Sequence, residues 1–467
     1  MKMWSGRFRQ ALDPEFEHWQ RSFGFDIRLL RYELGASSTH ARALKNAGVL
    51  SADELISILQ GLEQIGERAA ASPSFLQDDE AEDVHHFVEK QLAALIGDVG
   101  YKLHSGRSRN EQIATDLRLF TRAAIDELRQ RLGDLCGVLV DRAEQDASAA
   151  MPTYTHLQKA EPVLVGHWLL AYLEMLLRDA DRLADCRQRL NLCPLGSGAV
   201  AGATLPLDRA YMAENLGFDG ATANSIDATS DRDFAIEFVN ALSLLALHLS
   251  RWAEEMILFS SQEYGFVELP EAYSTGSSAM PQKKNPDLLE LVRGKSGRVI
   301  GNATALLVTA KGLPLAYNKD LQETQQPLFE AADTALQMLP LITGFMKLVE
   351  FHGERMQQAA DSGFMNAWAA ATYLVRKGIP SRIAHEHIGK AVALCVERGC
   401  ELRDLPLSDL RSLSPAFDND FYESLKLSLV LSAHDVPGGT APARVQQAIA
   451  AAKKKIESLR EEVHAHA

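Results

Sequence analysis

From Phe234 onward, apolar side chains recur at steps of three or four: Phe234, Phe238, Leu242, Leu245, Leu249, Trp252 and Met256. Only an α-helix brings such positions onto one face, and a stripe this long must be buried along its length. Ser230 and Asp233 stand at capping-box spacing and are expected to start the helix, while Gly265 and Pro270 are expected to end it. A second helix is expected from Glu161 to Leu190, with Leu169, Leu173, Leu176, Leu183 and Leu190 at near-heptad intervals. A third starts near Asn110 and meets no proline before Pro152, and a fourth begins at Pro286, with Asp287 and Glu290 at its dipole-positive end.

Long helices on this scale form a bundle. Alternating strand patterns are not sustained, so the chain reads as all-α, and a parallel sheet with a nucleotide crevice is not expected. The segment Glu54–Leu95 is also helical in pattern but breaks at Ser72-Pro73, and Pro437-Gly438-Gly439 is a turn signal. The tail from Ala450, with Lys453, Lys454 and Lys455, reads as a terminal helix with a solvated charged face. With 467 residues, the expected division is three domains: an N-terminal helical domain over 1–107, a long-helix bundle over 108–360 and a C-terminal helical domain over 361–467.

A net charge of −14 argues against a general nucleic-acid surface, which needs clustered basic groups to displace counterions. No uninterrupted apolar run approaches the roughly 20 residues that cross a bilayer, and the N-terminus lacks a secretory apolar region. A cytoplasmic location and no membrane partner are expected. The cysteines Cys136, Cys186, Cys193, Cys395 and Cys400 lack CxxC pairing, so buried thiols are expected in place of a disulfide framework or zinc site.

The segment Ser274–Asp287 (STGSSAMPQKKNPD) carries Ser277, Ser278, Lys283, Lys284 and Asn285 in a loop that runs directly into a helix. Packing alone does not require that mixture. A helix N-terminus with Lys283 and Asn285 beside it suits a carboxylate, and also the second negative charge that appears when a proton leaves the adjacent carbon. Gly276 allows such a loop to bend or close over a ligand. The plain alternative is a polar surface loop, just as Arg107 and Arg109 viewed alone are surface charges.

The loop resembles the signature of the fumarase, aspartase and argininosuccinate lyase superfamily, Gly-Ser-Ser-x-Met-Pro-x-Lys-x-Asn-Pro, which Gly276–Pro286 fits at every fixed position. Further segments resemble the argininosuccinate lyase family in particular: Met3–Phe8 (MWSGRF), Leu103–Gln112 (LHSGRSRNEQ), Thr155–Pro162 (THLQKAEP), Asp227–Phe234 (DATSDRDF), Tyr317–Gln322 (YNKDLQ) and Gly438–Pro442 (GGTAP). The resemblance implies cofactor-free, metal-free β-elimination of argininosuccinate to arginine and fumarate. It also implies a homotetramer whose long helices form a shared multi-helix core, with each active site drawn from three subunits.

Carried over position by position, the resemblance makes Ser277 and His156 the catalytic pair, with Lys283 in support and Glu290 as the acid that raises the histidine's basicity. Ser277 is taken as the base because Lys283 and helix-end N–H groups can stabilise its alkoxide. The family has also been described with histidine as acceptor and serine as donor, and sequence does not separate the two. Substrate binding falls to Ser37, Arg109, Asn110, Thr155, Asn285, Tyr317 and Gln322. Arginine forks such as Arg109 suit dicarboxylates.

Two positions depart from the family pattern. Gln325 stands where a substrate-binding lysine is common, and Ala36 stands where a glycine usually precedes the binding serine. Three other signals carry no chemistry. Gly294-Lys295-Ser296 lacks the first glycine of a phosphate loop, His385-Glu386-His387 does not share one helix face, and Gly196-Ser197-Gly198 lacks nucleophile-elbow spacing. The competing readings are a sister lyase acting on adenylosuccinate, aspartate or malate, and a structural protein on the same fold, as among lens crystallins.

Overall fold

A computed structural model describes residues 10–466; the Met3–Phe8 segment lies outside them. Helices dominate, as the periodicity requires. In chain order the principal ones are α1 (Leu30–Asn46), α2 (Ala52–Ala71), α3 (Val84–Ile96), α4 (Arg109–Gln145), α5 (Val165–Leu190), α6 (Asp233–Ser260), α7 (Asp287–Ala310), α8 (Gln325–Leu348), α9 (Ser381–Arg398) and α10 (Pro442–His466). Among the described residues, extended structure is confined to short two-stranded ribbons, the longest being β1 (Ala150–Thr155) against β2 (Gln158–Leu164). By these elements the chain is all-α.

Two compact units emerge. Among the described residues, one holds those up to 127 with 182–243 and 298–334; the other holds 128–181, 244–297 and those from 335 onward. In the first, Ala36, Leu119, Cys193, Leu195, Met212 and Phe218 pack one core. In the second, Leu374, Ala384, Leu410, Phe417 and Phe421 pack another, with the Phe417 and Phe421 rings edge to face at 4.8 Å.

The α6 stripe is buried as its spacing predicts: Phe234, Phe238, Leu242, Leu245, Leu249, Trp252 and Met256 are all in the core. By length and composition this helix could cross a bilayer, but half of its most apolar stretch is buried inside the protein. Its start differs from expectation. Ser230 ends a preceding short helix, Ser225–Ser230, where its hydroxyl donates back to the Ile226 carbonyl at 3.1 Å. Asp231 instead accepts from the Asp233 N–H at 2.7 Å. The spacing was right for a cap, but a neighbouring carboxylate is the stronger acceptor.

The helix expected from Glu161 starts only at Val165, because Glu161 lies in β2. Cys136, Cys186, Cys193 and Cys395 are buried free thiols, and Cys400 is half-buried and also free. The terminal helix begins at Pro442, and Lys453 and Lys455 form exposed ion pairs with Glu144 and Glu174.

Helix α8 carries Pro340 in its interior. A proline there cannot donate to the carbonyl four residues back, that of Leu336. Arg131 supplies the missing donor through Nη1. Losing it leaves an acceptor unsatisfied, at about 1–2 kcal/mol. Arg131→Met should therefore lower the thermal unfolding midpoint. Adding Pro340→Ala, which restores the backbone donor, should recover most of the loss; an additive double variant would refute the coupling.

Candidate active site

The candidate catalytic loop is a ribbon with a tied neck. Thr275–Gly276 (β3) pairs antiparallel with Lys284–Asn285 (β4). Asn285 Nδ2 donates to Thr275 Oγ1 and to the Gly276 carbonyl, each at 3.4 Å, and the Thr275 hydroxyl donates to Asp287. Between the strands, Ser277 Oγ accepts from the backbone N–H groups of Ala279 at 3.2 Å and Met280 at 3.1 Å. Two amide donors on one hydroxyl oxygen stabilise its deprotonated form. Lys283 is exposed on the same loop. Helix α7 follows directly, so its unsatisfied first-turn N–H groups adjoin the ribbon. Glu290 is exposed on that first turn, 3.9 Å from Arg293.

His156 sits at a strained tip. Thr155 pairs with Gln158, so His156 and Leu157 form a two-residue turn between β1 and β2. Both have positive φ, +55° and +57°. Such turns belong to Asn-Gly sequences, whereas histidine and leucine carry a Cβ that opposes this backbone. Thr155, His156 and Leu157 are all exposed, Leu157 by 67%. An imidazole and a leucine held outward at conformational cost point to a function outside the hairpin's own core.

Within the first unit, Arg109, Tyr317 and Gln322 line one cavity of about 410 Å³, together with Arg21, Asp83 and Lys319. Gln322 Nε2 donates to the Gln20 carbonyl at 3.0 Å. Burial pushes the Tyr317 phenol up, with nearby Arg232 opposing it. Asn110, on the first turn of α4, donates to the Ala199 carbonyl at 3.2 Å. Ser108 N–H donates to Glu111, whose other oxygen accepts from Gly198 N–H at 2.9 Å. Gly198 has φ +62°, and a Cβ there would lie 2.8 Å from the Gly202 carbonyl, so glycine is required for this contact.

Ser37 is fully buried on α1. Its hydroxyl donates to Glu33 and accepts from Arg107 Nη1 at 2.8 Å. Ala36 is an ordinary helical residue packed in the core, so the missing glycine leaves the backbone unchanged. Gln325 is also fully buried, and neither its Nε2 nor its Oε1 has a hydrogen-bond partner among the described residues. The structure therefore gathers Arg109, Tyr317 and Gln322 at one cavity in the first unit. It puts Thr155, His156, Ser277, Lys283, Asn285 and Glu290 in the second.

Several charged groups escaped the sequence reading. Arg107 is almost wholly buried beside Glu33, not a surface charge. His85 Nε2 lies 3.0 Å from Asp116 and 3.6 Å from Glu33, and its Nδ1 lies 3.8 Å from Asp83. Asp83 also pairs with Arg109. Burial opposes its ionisation, but Arg109 and His85 bring Asp83 down to about 2. Arg232 is fully buried, its Nε and Nη2 have no hydrogen-bond partner among the described residues, and burial pushes it down to about 10. Glu33, His85 and Asp116 bring ligand-type atoms within 4.8 Å of one another, but the Arg107 guanidinium already supplies positive charge 3.8 Å from Glu33. The available signals were Glu33 four residues before Ser37, and acid–histidine spacing in Glu82–His86 (EDVHH).

Residues 6–301 match the lyase family profile, and residues 364–432 match the argininosuccinate lyase C-terminal family. A protein called argininosuccinate lyase from Koribacter versatilis (strain Ellin345) is 60% identical over 467 residues, covering 100% of both chains. Another so called, from Acidobacterium capsulatum, is 59% identical, covering 98% of this chain and 96% of its own. Among solved structures, EDDS lyase in complex with formate superposes with a TM-score of 0.85 at 29% identity, covering 98% of this chain and 93% of that one. With this identity running from end to end, the chain belongs to the argininosuccinate lyase family.

Proposed function

We propose that this protein cleaves argininosuccinate reversibly to arginine and fumarate by β-elimination, as a step of arginine biosynthesis. The geometric observation that carries the reading is Ser277 Oγ beneath two backbone N–H donors, in a loop that opens into a helix N-terminus. In this reading Ser277 takes the Cβ proton. The electron pair passes into the neighbouring carboxylate as an aci-carboxylate, which needs fixed positive partners at that moment. Collapse of that intermediate breaks the Cα–N bond, and its electron pair stays on the guanidino nitrogen, which departs as neutral guanidine and takes up a proton from His156 or solvent to become the guanidinium of arginine. A leaving group that is already cationic in the substrate needs little acid assistance.

His156 assists on the departing side or orients the succinyl group, with Glu290 in support. Lys283 supports the Ser277 alkoxide. Ser37, Arg109, Asn110, Thr155, Asn285, Tyr317 and Gln322 are proposed to bind substrate. Domain boundaries at 107 and 360 and a cytoplasmic location belong to the same reading.

Ser277→Ala should lower kcat by about 10²–10⁴-fold, assayed as fumarate release. His156→Asn is the sharper variant, because asparagine accepts positive φ. It should keep the fold and thermal midpoint while kcat falls at least about 100-fold. A normally active His156→Asn protein would remove histidine from the mechanism.

The active particle is proposed to be a homotetramer. Supporting this, α7 presents Leu291, Leu307 and Val308 at 57%, 50% and 55% exposure, and α6 presents Leu244 and Leu247. As a hypothesis, Asn110, His156 and Ser277 meet from different copies. Light scattering should report four chains, and Leu307→Asp should give smaller, inactive species. A fully active monomer would exclude shared sites.

Gln325 is read as a substrate contact in place of the family's usual lysine. An amide buried without partners costs about 1–3 kcal/mol, so Gln325→Leu should raise the thermal midpoint while raising KM. A variant that gains stability with unchanged KM would show the amide to be idle.

A further inference from the structure

Three elements bring acids to one imidazole. Glu33 comes from α1, Asp116 from α4, and Asp83 caps α3 by accepting the His86 N–H at 2.8 Å. His85 lies among them, fully buried. Two of the acids have a second partner, whereas Asp116 Oδ1 has no hydrogen-bond partner among the described residues. Glu33 accepts from Ser37 and, at 3.2 Å, from Gln112, and faces Arg107. Asp83 holds Arg109. The void beside the ring is about 10 Å³, too small for a substrate, so His85 does not act by contact.

We propose that His85 is a positioning residue. Its charged ring locks Glu33, which holds Arg107 and Ser37 in the buried array, and Asp83, which aims Arg109 into the cavity of about 410 Å³ to receive a carboxylate of the substrate. The role rests on the lyase reading only in naming the substrate.

The charge balance requires a retained proton. Burial alone would lower His85, but Glu33, Asp116 and Asp83 raise it above its ordinary value. Burial and then Glu33 push Asp116 up to about 7. Asp26, His104, Arg107 and Arg109 complete the charged surroundings. A raised histidine holds its stabilising charge below its ordinary pKa and loses it as pH climbs through the raised value. The array should therefore loosen on the alkaline side.

The test uses the full-length protein and His85→Gln, which keeps a donor toward Asp116 but carries no charge. In the native protein, KM for argininosuccinate should be flat near neutrality and rise at alkaline pH. In His85→Gln it should be about tenfold higher at neutrality and lack that rise, with kcat per folded site little changed. Succinate affinity, measured by calorimetry without turnover, should fall by a similar factor. A purely structural role would lower the folded fraction but leave KM, its pH profile and succinate affinity native, and that result overturns the proposal.

If His85→Gln does not fold, the native KM profile and Asp83→Asn decide: a flat alkaline limb, or a native KM in Asp83→Asn, overturns it. A native protein that releases no fumarate refutes the lyase reading, while the succinate comparison still judges His85.

Discussion

An α-helix leaves its first N–H groups without partners and its N-terminal end partly positive. In this chain nearly every candidate segment lies just ahead of such an end. Arg109 and Asn110 open α4, the β1–β2 hairpin that carries His156 feeds α5, Arg232 immediately precedes α6, the Ser277 ribbon feeds α7, and Tyr317 and Gln322 precede α8. A succinyl group with two carboxylates, passing through a state with a further negative charge, meets its electrostatic need at positions of this kind. Burial of the long apolar stripes fixes the helices, and the helices fix where those ends fall. Packing and chemistry are therefore linked along the chain.

What the sequence made legible follows the same logic. Periodicity located the long helices because a buried stripe repeats many times, and the Gly276–Pro286 motif was legible because its residues are contiguous. The β1–β2 hairpin was not legible. Its turn is His156-Leu157 in place of Asn-Gly, so nothing in the composition marks the chain reversal, and Glu161 was read into the following helix. The start of α6 was misread by the side chain that caps it, since Ser230 and Asp231 both satisfy the composition rule and only geometry chooses between them. Glu33, His85 and Asp116 lie on separate elements and share no local pattern, so their meeting is visible only after folding.

The hairpin also shows how a site is financed by structure elsewhere. Left-handed backbone at two consecutive L-residues costs roughly 1–2 kcal/mol each. The ribbon that bears it is anchored at its far end, where Ala150 pairs with Leu164 and the Leu164 N–H donates to Thr440 Oγ1 at 2.9 Å. Glu161 N–H and its carbonyl both engage Thr153 Oγ1 across the bulge. Those contacts determine the turn from below, leaving the imidazole exposed and fixed. A flexible loop could present the same side chain without strain, but it would lose the orientation each time substrate bound.

Charge poses the remaining constraint. The chain as a whole is strongly negative, yet the succinyl end of its proposed substrate carries two carboxylates, so attraction has to come from local arrays. Three arginines near the candidate site are held by acids: Arg107 faces Glu33, Arg109 pairs with Asp83, and Arg118 pairs with Asp231. Pairing weakens each guanidinium as a free charge but fixes its direction, and a directed fork recognises a carboxylate better than a mobile one. Acids that neutralise at a distance and orient at close range therefore reconcile an acidic protein with an anionic ligand. The same acids need a proton among them to remain together in the interior, which is the physical place occupied by His85.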